Sequence, residues 1–106
     1  MDENFREFFI FLDESMENEI YVKFEYSPDF FVNAFVIIYL TKVNDIFKEV
    51  IKYDYSQRET LHVHYFYKKS SRKEYLDFPP TLDTVFELKN NLEANWKKYL
   101  IKFNDE

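Results

Sequence analysis

The chain of 106 residues contains two histidines, and they stand two apart in Leu61-His62-Val63-His64-Tyr65. In a strand, residues i and i+2 project from the same side, so both imidazoles share a face while Leu61, Val63, Tyr65 and Tyr67 take the other. Imidazole exchanges protons near neutrality. Two on one face suit a general base and a general acid acting on a ribose 2′-hydroxyl and a leaving oxygen. The same pair suits two ligands of a metal ion, but that needs a third ligand. Asp54 or Asp77 could supply it, and no spacing dictates either. A third reading leaves both as polar residues on a solvated strand face. Of the two chemical readings, acid–base or substrate-binding work without metal or cofactor is preferred to metal ligation.

Lys52-Tyr53-Asp54 lies on the segment before the histidines. Antiparallel pairing around a turn at 56–59 brings Asp54 close to Thr60 and His62, where a carboxylate orients an imidazole. Lys52 and Arg58 can neutralise phosphate. The catalytic candidates are therefore His62, His64 and Asp54, with Lys52 and Arg58 as substrate-binding groups. Lys68, Lys69, Arg72 and Lys73 form a basic turn beside Tyr65, Tyr67 and Tyr75. That mixture suits single-stranded RNA, through phosphate contact and stacking, but a solvated hairpin tip is the commoner explanation, and the tyrosines equally suit sheet packing.

These side chains need a scaffold. Residues 19–26 alternate, with Ile20, Val22, Phe24 and Tyr26 on one face, which marks a half-buried strand. Ser27-Pro28-Asp29 breaks it. Segment 31–41 is apolar on both faces and reads as a central strand. Asn44-Asp45 marks a turn, 46–55 a third strand, 60–67 a fourth and 73–78 a short edge strand. Such short connections allow only an antiparallel meander. After Pro79-Pro80, Thr81 is an N-cap for a helix to about residue 103, with Val85, Leu88, Leu92, Trp96, Tyr99 and Phe103 as its apolar stripe. Segment 2–17 reads as a short amphipathic helix, from the spacing of Phe5, Phe8, Phe9, Leu12 and Met16, with a strand at 8–12 as the competitor. The expected fold is a single α+β domain over 1–106: an antiparallel sheet of four or five strands, a long C-terminal helix packed on one face and a short N-terminal helix.

Composition removes many functions. No cysteine means no disulfide, thiol nucleophile or thiolate zinc site. No glycine means no P-loop or dinucleotide-binding fingerprint, which need close backbone approach. The net charge of −6 argues against non-specific nucleic-acid binding. The charge is uneven, however: residues 1–47 hold 3 basic and 10 acidic side chains, and residues 48–102 hold 11 basic and 8 acidic. No signal peptide is legible, and the longest apolar stretch, 30–40, contains Asn33 and is too short to span a bilayer. The expectation is a soluble cytoplasmic protein, monomer or homodimer, with no membrane partner.

The order of features also resembles a known group. A strand at 34–40, a charged turn, Lys52-Tyr53-Asp54, a short turn, His62 and His64, and a closing helix with Asn95-Trp96 and Tyr99 resemble small prokaryotic proteins that include the TumE-type toxins of toxin–antitoxin systems. The resemblance covers about residues 32–103. Those relatives usually carry arginine at the position of Lys52, and the TumE branch has a denser histidine stretch than His62-Val63-His64. The resemblance implies a toxin-like protein paired with an antitoxin and acting on RNA, with Tyr53, Asp54, His62 and His64 as site residues and Tyr53 thus joining the substrate-binding set. The alternative is a non-catalytic protein-interaction module that binds a partner through an aromatic patch or a sheet edge.

Overall fold

A computed structural model gives the structure of the protein; it describes residues 4–29, 31–67 and 71–105. Among the described residues six strands follow one another: β1 (Phe5–Phe11), β2 (Asn18–Tyr26), β3 (Val32–Val43), β4 (Ile46–Tyr55), β5 (His62–Tyr65) and β6 (Arg72–Tyr75). Helix α1 (Leu82–Asp105) closes the chain. All strands pair antiparallel with their sequence neighbours, in the order β1-β2-β3-β4-β5-β6. The fold is the expected α+β meander with a long C-terminal helix on the sheet.

Two expectations are corrected. The sheet has six strands, not four or five, and the extra strand is β1, where an N-terminal helix was expected over 2–17. Phe8-Phe9-Ile10-Phe11 is strongly β-prone, and aromatics on both faces of a strand also satisfy the i, i+3, i+4 spacing of a helix. β2 decides the matter by offering partners: Phe8 faces Val22 and Ile10 faces Ile20. Asp13 ties the connecting turn, where its carboxylate accepts from the Glu17 and Asn18 backbone amides and the Asn18 side chain. Burial pushes the Asp13 carboxyl up, but these bonds and one from Ser15 outweigh it and hold the group below the usual carboxylate range.

The β3–β4 hairpin turns at Asn44 and Asp45, both left-handed with φ of 54° and 66°. Asparagine and aspartate tolerate that region best among residues with a Cβ, which is how a chain without glycine builds this turn. Thr81 caps α1 as expected, accepting from the Thr84 backbone N–H at 3.3 Å.

The helix lies over β2, β3 and β4. Ile20, Val22, Phe24, Phe35, Ile37, Tyr39, Ile51, Tyr53 and Val63 rise from the sheet to meet Val85, Leu88, Leu92 and Phe103. Trp96 meets Tyr39 edge-on, with ring centroids 6.1 Å apart. Tyr39 is fully buried, and its hydroxyl donates to Asn18 Oδ1 at 2.6 Å. Each fully buried aliphatic side chain stabilises this layer by about 1.5–3 kcal/mol. Among the described residues, no helix is long and apolar enough to cross a membrane.

Candidate functional site

Register determines what the histidines meet. Asp54 stands directly opposite His62, and Lys52 opposite His64. On the far side of β5, Tyr75 faces His62 and Lys73 faces His64. Partners across an antiparallel ladder share a face, so these six side chains line the sheet face that α1 does not cover.

The two imidazoles have different surroundings. His62 is 7% exposed. Its Nδ1 lies 3.0 Å from the Thr60 carbonyl oxygen, which can only accept, so Nδ1 carries the hydrogen. Nε2 then faces two carboxylates, Glu59 at 3.8 Å and Asp54 at 4.0 Å. The Tyr75 ring lies beside the imidazole, centroids 5.8 Å apart. Glu59 is shared: its second oxygen accepts from the Lys73 ammonium and from the Tyr75 hydroxyl. The bond from Lys73, then that from Tyr75, holds the Glu59 carboxyl below the usual range, and the same bond raises Lys73. Glu59 thus ties the β4–β5 turn to β6. Nothing in the local sequence singles it out, because its partners come from a strand fourteen or more residues away.

His64 is half-buried and stacks on Phe66, with centroids 4.3 Å apart and planes 18° apart. Its Nε2 lies 3.4 Å from Ser71 Oγ. Lys52 beside it is half-buried. The arrangement therefore offers one imidazole held among carboxylates and a carbonyl, and a second beside a lysine at the sheet surface.

The remaining candidates fall elsewhere. Tyr53 sits on the opposite face, 7% exposed, under α1. Burial, then the neighbouring Tyr99, Tyr65 and Tyr67, pushes its hydroxyl far above the usual tyrosine range. Arg58 is exposed in the 56–59 turn, with its backbone N–H donating to Ser56 Oγ at 3.2 Å. In the basic run, Lys68 and Lys69 lie outside the described residues, and the pleat separates the other two. Lys73 faces the histidines, whereas Arg72 projects over the Tyr65 ring, 4.8 Å from its centroid, and pairs with Glu74 at 2.9 Å. Asn95 and Trp96 ride on α1, across the sheet from the histidines. Among the described residues, no group of three His, Cys, Asp or Glu side chains is arranged to hold a metal ion.

The same uncovered face carries a second feature on β1, β2 and β3. Phe5, Phe9 and Phe11 project from it and are 38%, 56% and 50% exposed. Phe9 faces Tyr21, which faces Ile38; Phe11 leads through Glu19 to Leu40. The Phe9 and Tyr21 rings are 4.9 Å apart. Ile38 is 9% exposed although no helix covers it, because the strip closes over it. The Tyr21 hydroxyl donates to Glu7 and is pushed up to about 12, by burial first and then by that carboxylate. This strip was hidden in the sequence by the helical reading of 2–17, which keeps Phe5 and Phe9 on one apolar stripe with Phe8 and Leu12 and turns Phe11 away from them.

A family model described as "Domain of unknown function (DUF7718)" matches the chain over residues 1–106. No curated protein and no solved structure matches it. The chain belongs to the DUF7718 family.

Proposed function

We propose that this DUF7718 chain is a protein-interaction module that works through the uncovered face of its sheet. The observation that carries the reading is the strip Phe9, Phe11, Tyr21, Ile38 and Leu40. Antiparallel sheets that face water normally turn polar residues outward. Here two phenylalanines stand half exposed, Phe9 beside Tyr21 and Ile38 and Phe11 beside Glu19, and exposed aromatics grouped in this way mark a binding patch. The His62 surroundings agree with this reading. An imidazole with 7% exposure, one nitrogen committed to a carbonyl, serves to hold β4, β5 and β6 together more readily than to reach a substrate.

The test is a tagged parent chain, beside a Phe9→Ser, Phe11→Ser variant, each retained on a column with untagged chain and host lysate. Partners held by the parent and lost by the equally folded variant support the reading. Identical capture by both overturns it.

A second reading, a toxin-like protein acting on RNA, is favoured by the Lys52–His64 cross-strand pair. His64 and Lys52 would contact phosphate or move a proton, and Asp54 and His62 would support them from the next row. An antitoxin would be the protein partner. Growth arrest by the parent that is lost in His64→Ala, with matched expression, supports this reading. No arrest in the organism that encodes the protein, or equal arrest by His64→Ala, counts against it.

A further inference from the structure

The sheet ends in two edges, β1 and β6, and they are built differently. β6 is four residues long and carries Arg72, Lys73 and Glu74, and a short charged strand blunts an edge against further pairing. β1 is seven residues long, with Phe5, Phe8, Phe9, Ile10 and Phe11 apolar, and it has neither proline nor bulge. We infer that β1 pairs antiparallel with β1 of a second copy of this chain, so that the two sheets run on as one across a twofold axis at Phe8. The inference goes beyond the reading of the uncovered face, because it rests on the backbone of an edge and not on a strip of side chains.

The backbone comes first. At the two ends of the β1–β2 ladder, the Leu12 N–H donates to the Asn18 carbonyl and the Tyr26 N–H donates to the Asn4 carbonyl, both at 2.8 Å. Hydrogen-bonded pairs alternate along an antiparallel ladder, so the even-numbered residues of β1 turn their amides and carbonyls toward β2. Phe5, Glu7, Phe9 and Phe11 turn theirs outward. Among the described residues, the Phe5 carbonyl accepts from the neighbouring Arg6 side chain at 3.5 Å, and the other outward groups meet no protein partner. Such a row of amides and carbonyls is a template for one more strand.

Register comes second, and it names the strand. Only an axis at Phe8 uses all the outward residues: Phe5 meets Phe11 of the copy and Glu7 meets Phe9, each pair exchanging both bonds. A shift by one row sets an outward residue against no strand, as when Phe5 falls opposite Asp13 in the turn. On the helix side Phe8 meets its own copy, and Ile10 meets Arg6, whose stem is apolar. Phe8 and Ile10 are half-buried at the margin of the core. The helix packs on β2, β3 and β4 and not on β1, so neither copy's α1 obstructs the joint.

Charge permits the contact. The chain as a whole is acidic, at −6, but β1 holds one base, Arg6, and one acid, Glu7, and brings no net charge to the joint. Glu7 and its copy lie on a diagonal across the axis. Each carboxylate already accepts from Tyr21 and faces Lys23 within its own sheet. The axis consumes both β1 edges and leaves only the blunted β6 edges free, so the assembly closes at two.

The experiment is sedimentation equilibrium of the full chain over a hundredfold range of concentration, joined to disulfide trapping. The parent should be a dimer. Glu7→Pro removes an outward N–H and leaves the bonds to β2, so it should be a monomer with unchanged circular dichroism. Glu7→Ala loses the same carboxylate but keeps the N–H, and should remain a dimer. The chain has no cysteine, so one introduced thiol reports its own position. Phe8→Cys, at the axis, where a non-hydrogen-bonded pair sets the Cα atoms about 4.5 Å apart, should oxidise to a covalent dimer. Phe11→Cys, with its copies about 20 Å apart, should not. A parent that stays monomeric at the highest concentration, with no cross-link in Phe8→Cys, overturns the inference. So does a dimer that survives Glu7→Pro, a dimer lost in Glu7→Ala, or cross-linking as fast at Phe11→Cys as at Phe8→Cys. The reading of the uncovered face is judged separately, because Glu7→Pro keeps Phe9, Phe11 and Tyr21 and should still hold a partner of that strip on the column.

Discussion

The two faces of one sheet use the same residue types for opposite ends. Under α1, Tyr39, Tyr53 and Phe35 are 7% exposed or less, and their rings are locked by close packing. On the other face, Phe9 and Phe11 are half exposed and stand opposite Tyr21 and Glu19, with the Glu7–Lys23 pair in the next row. The pleat enforces the division, since alternate residues of each strand serve different layers. An aromatic residue in this chain is therefore a core element or a contact element according to which side of the pleat it occupies. The histidine site lies wholly on the contact side, and Tyr53, adjacent in sequence to Asp54 and Lys52, lies wholly on the core side.

That contrast can be broken most severely from beneath the helix. Leu92→Ala, at a position with no exposed surface, should destabilise the chain by about 2–5 kcal/mol in urea denaturation. A loss below about 1 kcal/mol would mean that α1 is not the cover of this core. Next comes Tyr39→Phe, which keeps the ring and removes the donor that Asn18 accepts. Buried Asn18 is then left short of a partner, at a cost of about 1–3 kcal/mol by the same measurement. On the contact face, Phe9→Ser should cost about 1 kcal/mol or less, with its main effect on association. An equal loss at Phe9 and Leu92 would erase the distinction between the faces.

The smallest expected effect concerns Glu59. Its folded carboxyl titrates below its ordinary value of 4.5, so the unfolded chain binds the proton first as pH falls. Its contribution is thus fully present above about 4.5 and is lost as pH drops through the lower folded value. Protection of the β6 amides in hydrogen exchange should weaken over that window in the parent. In Glu59→Gln it should already be weak at neutral pH and unresponsive to acid. Unchanged protection in the variant would show that Glu59 does not hold β6.

Much of this was legible beforehand, and the exceptions share a cause. Alternation along 19–26 and the Asn44-Asp45 turn gave β2 and the β3–β4 hairpin, because both signals are local. The Thr81 cap and the stripe from Val85 to Phe103 gave α1 for the same reason. The adjacency of Asp54 and His62 was legible because a tight turn leaves few registers. Segment 2–17 was misread because its aromatics occupy both faces and satisfy two periods at once. Glu59 was missed because Lys73 and Tyr75 reach it only after β6 has docked.

The sequence by itself determined the local periods, the turns, the helix and the sharing of a face by His62 and His64, since each depends on backbone geometry over a few residues. Only the tertiary structure decided which face α1 covers, and with it that Tyr53 is core and Phe9 is surface. It also decided that His62 is enclosed while His64 lies at the surface. A side chain's exposure depends on what arrives from distant parts of the chain, and a period specifies a face without specifying what lies against it.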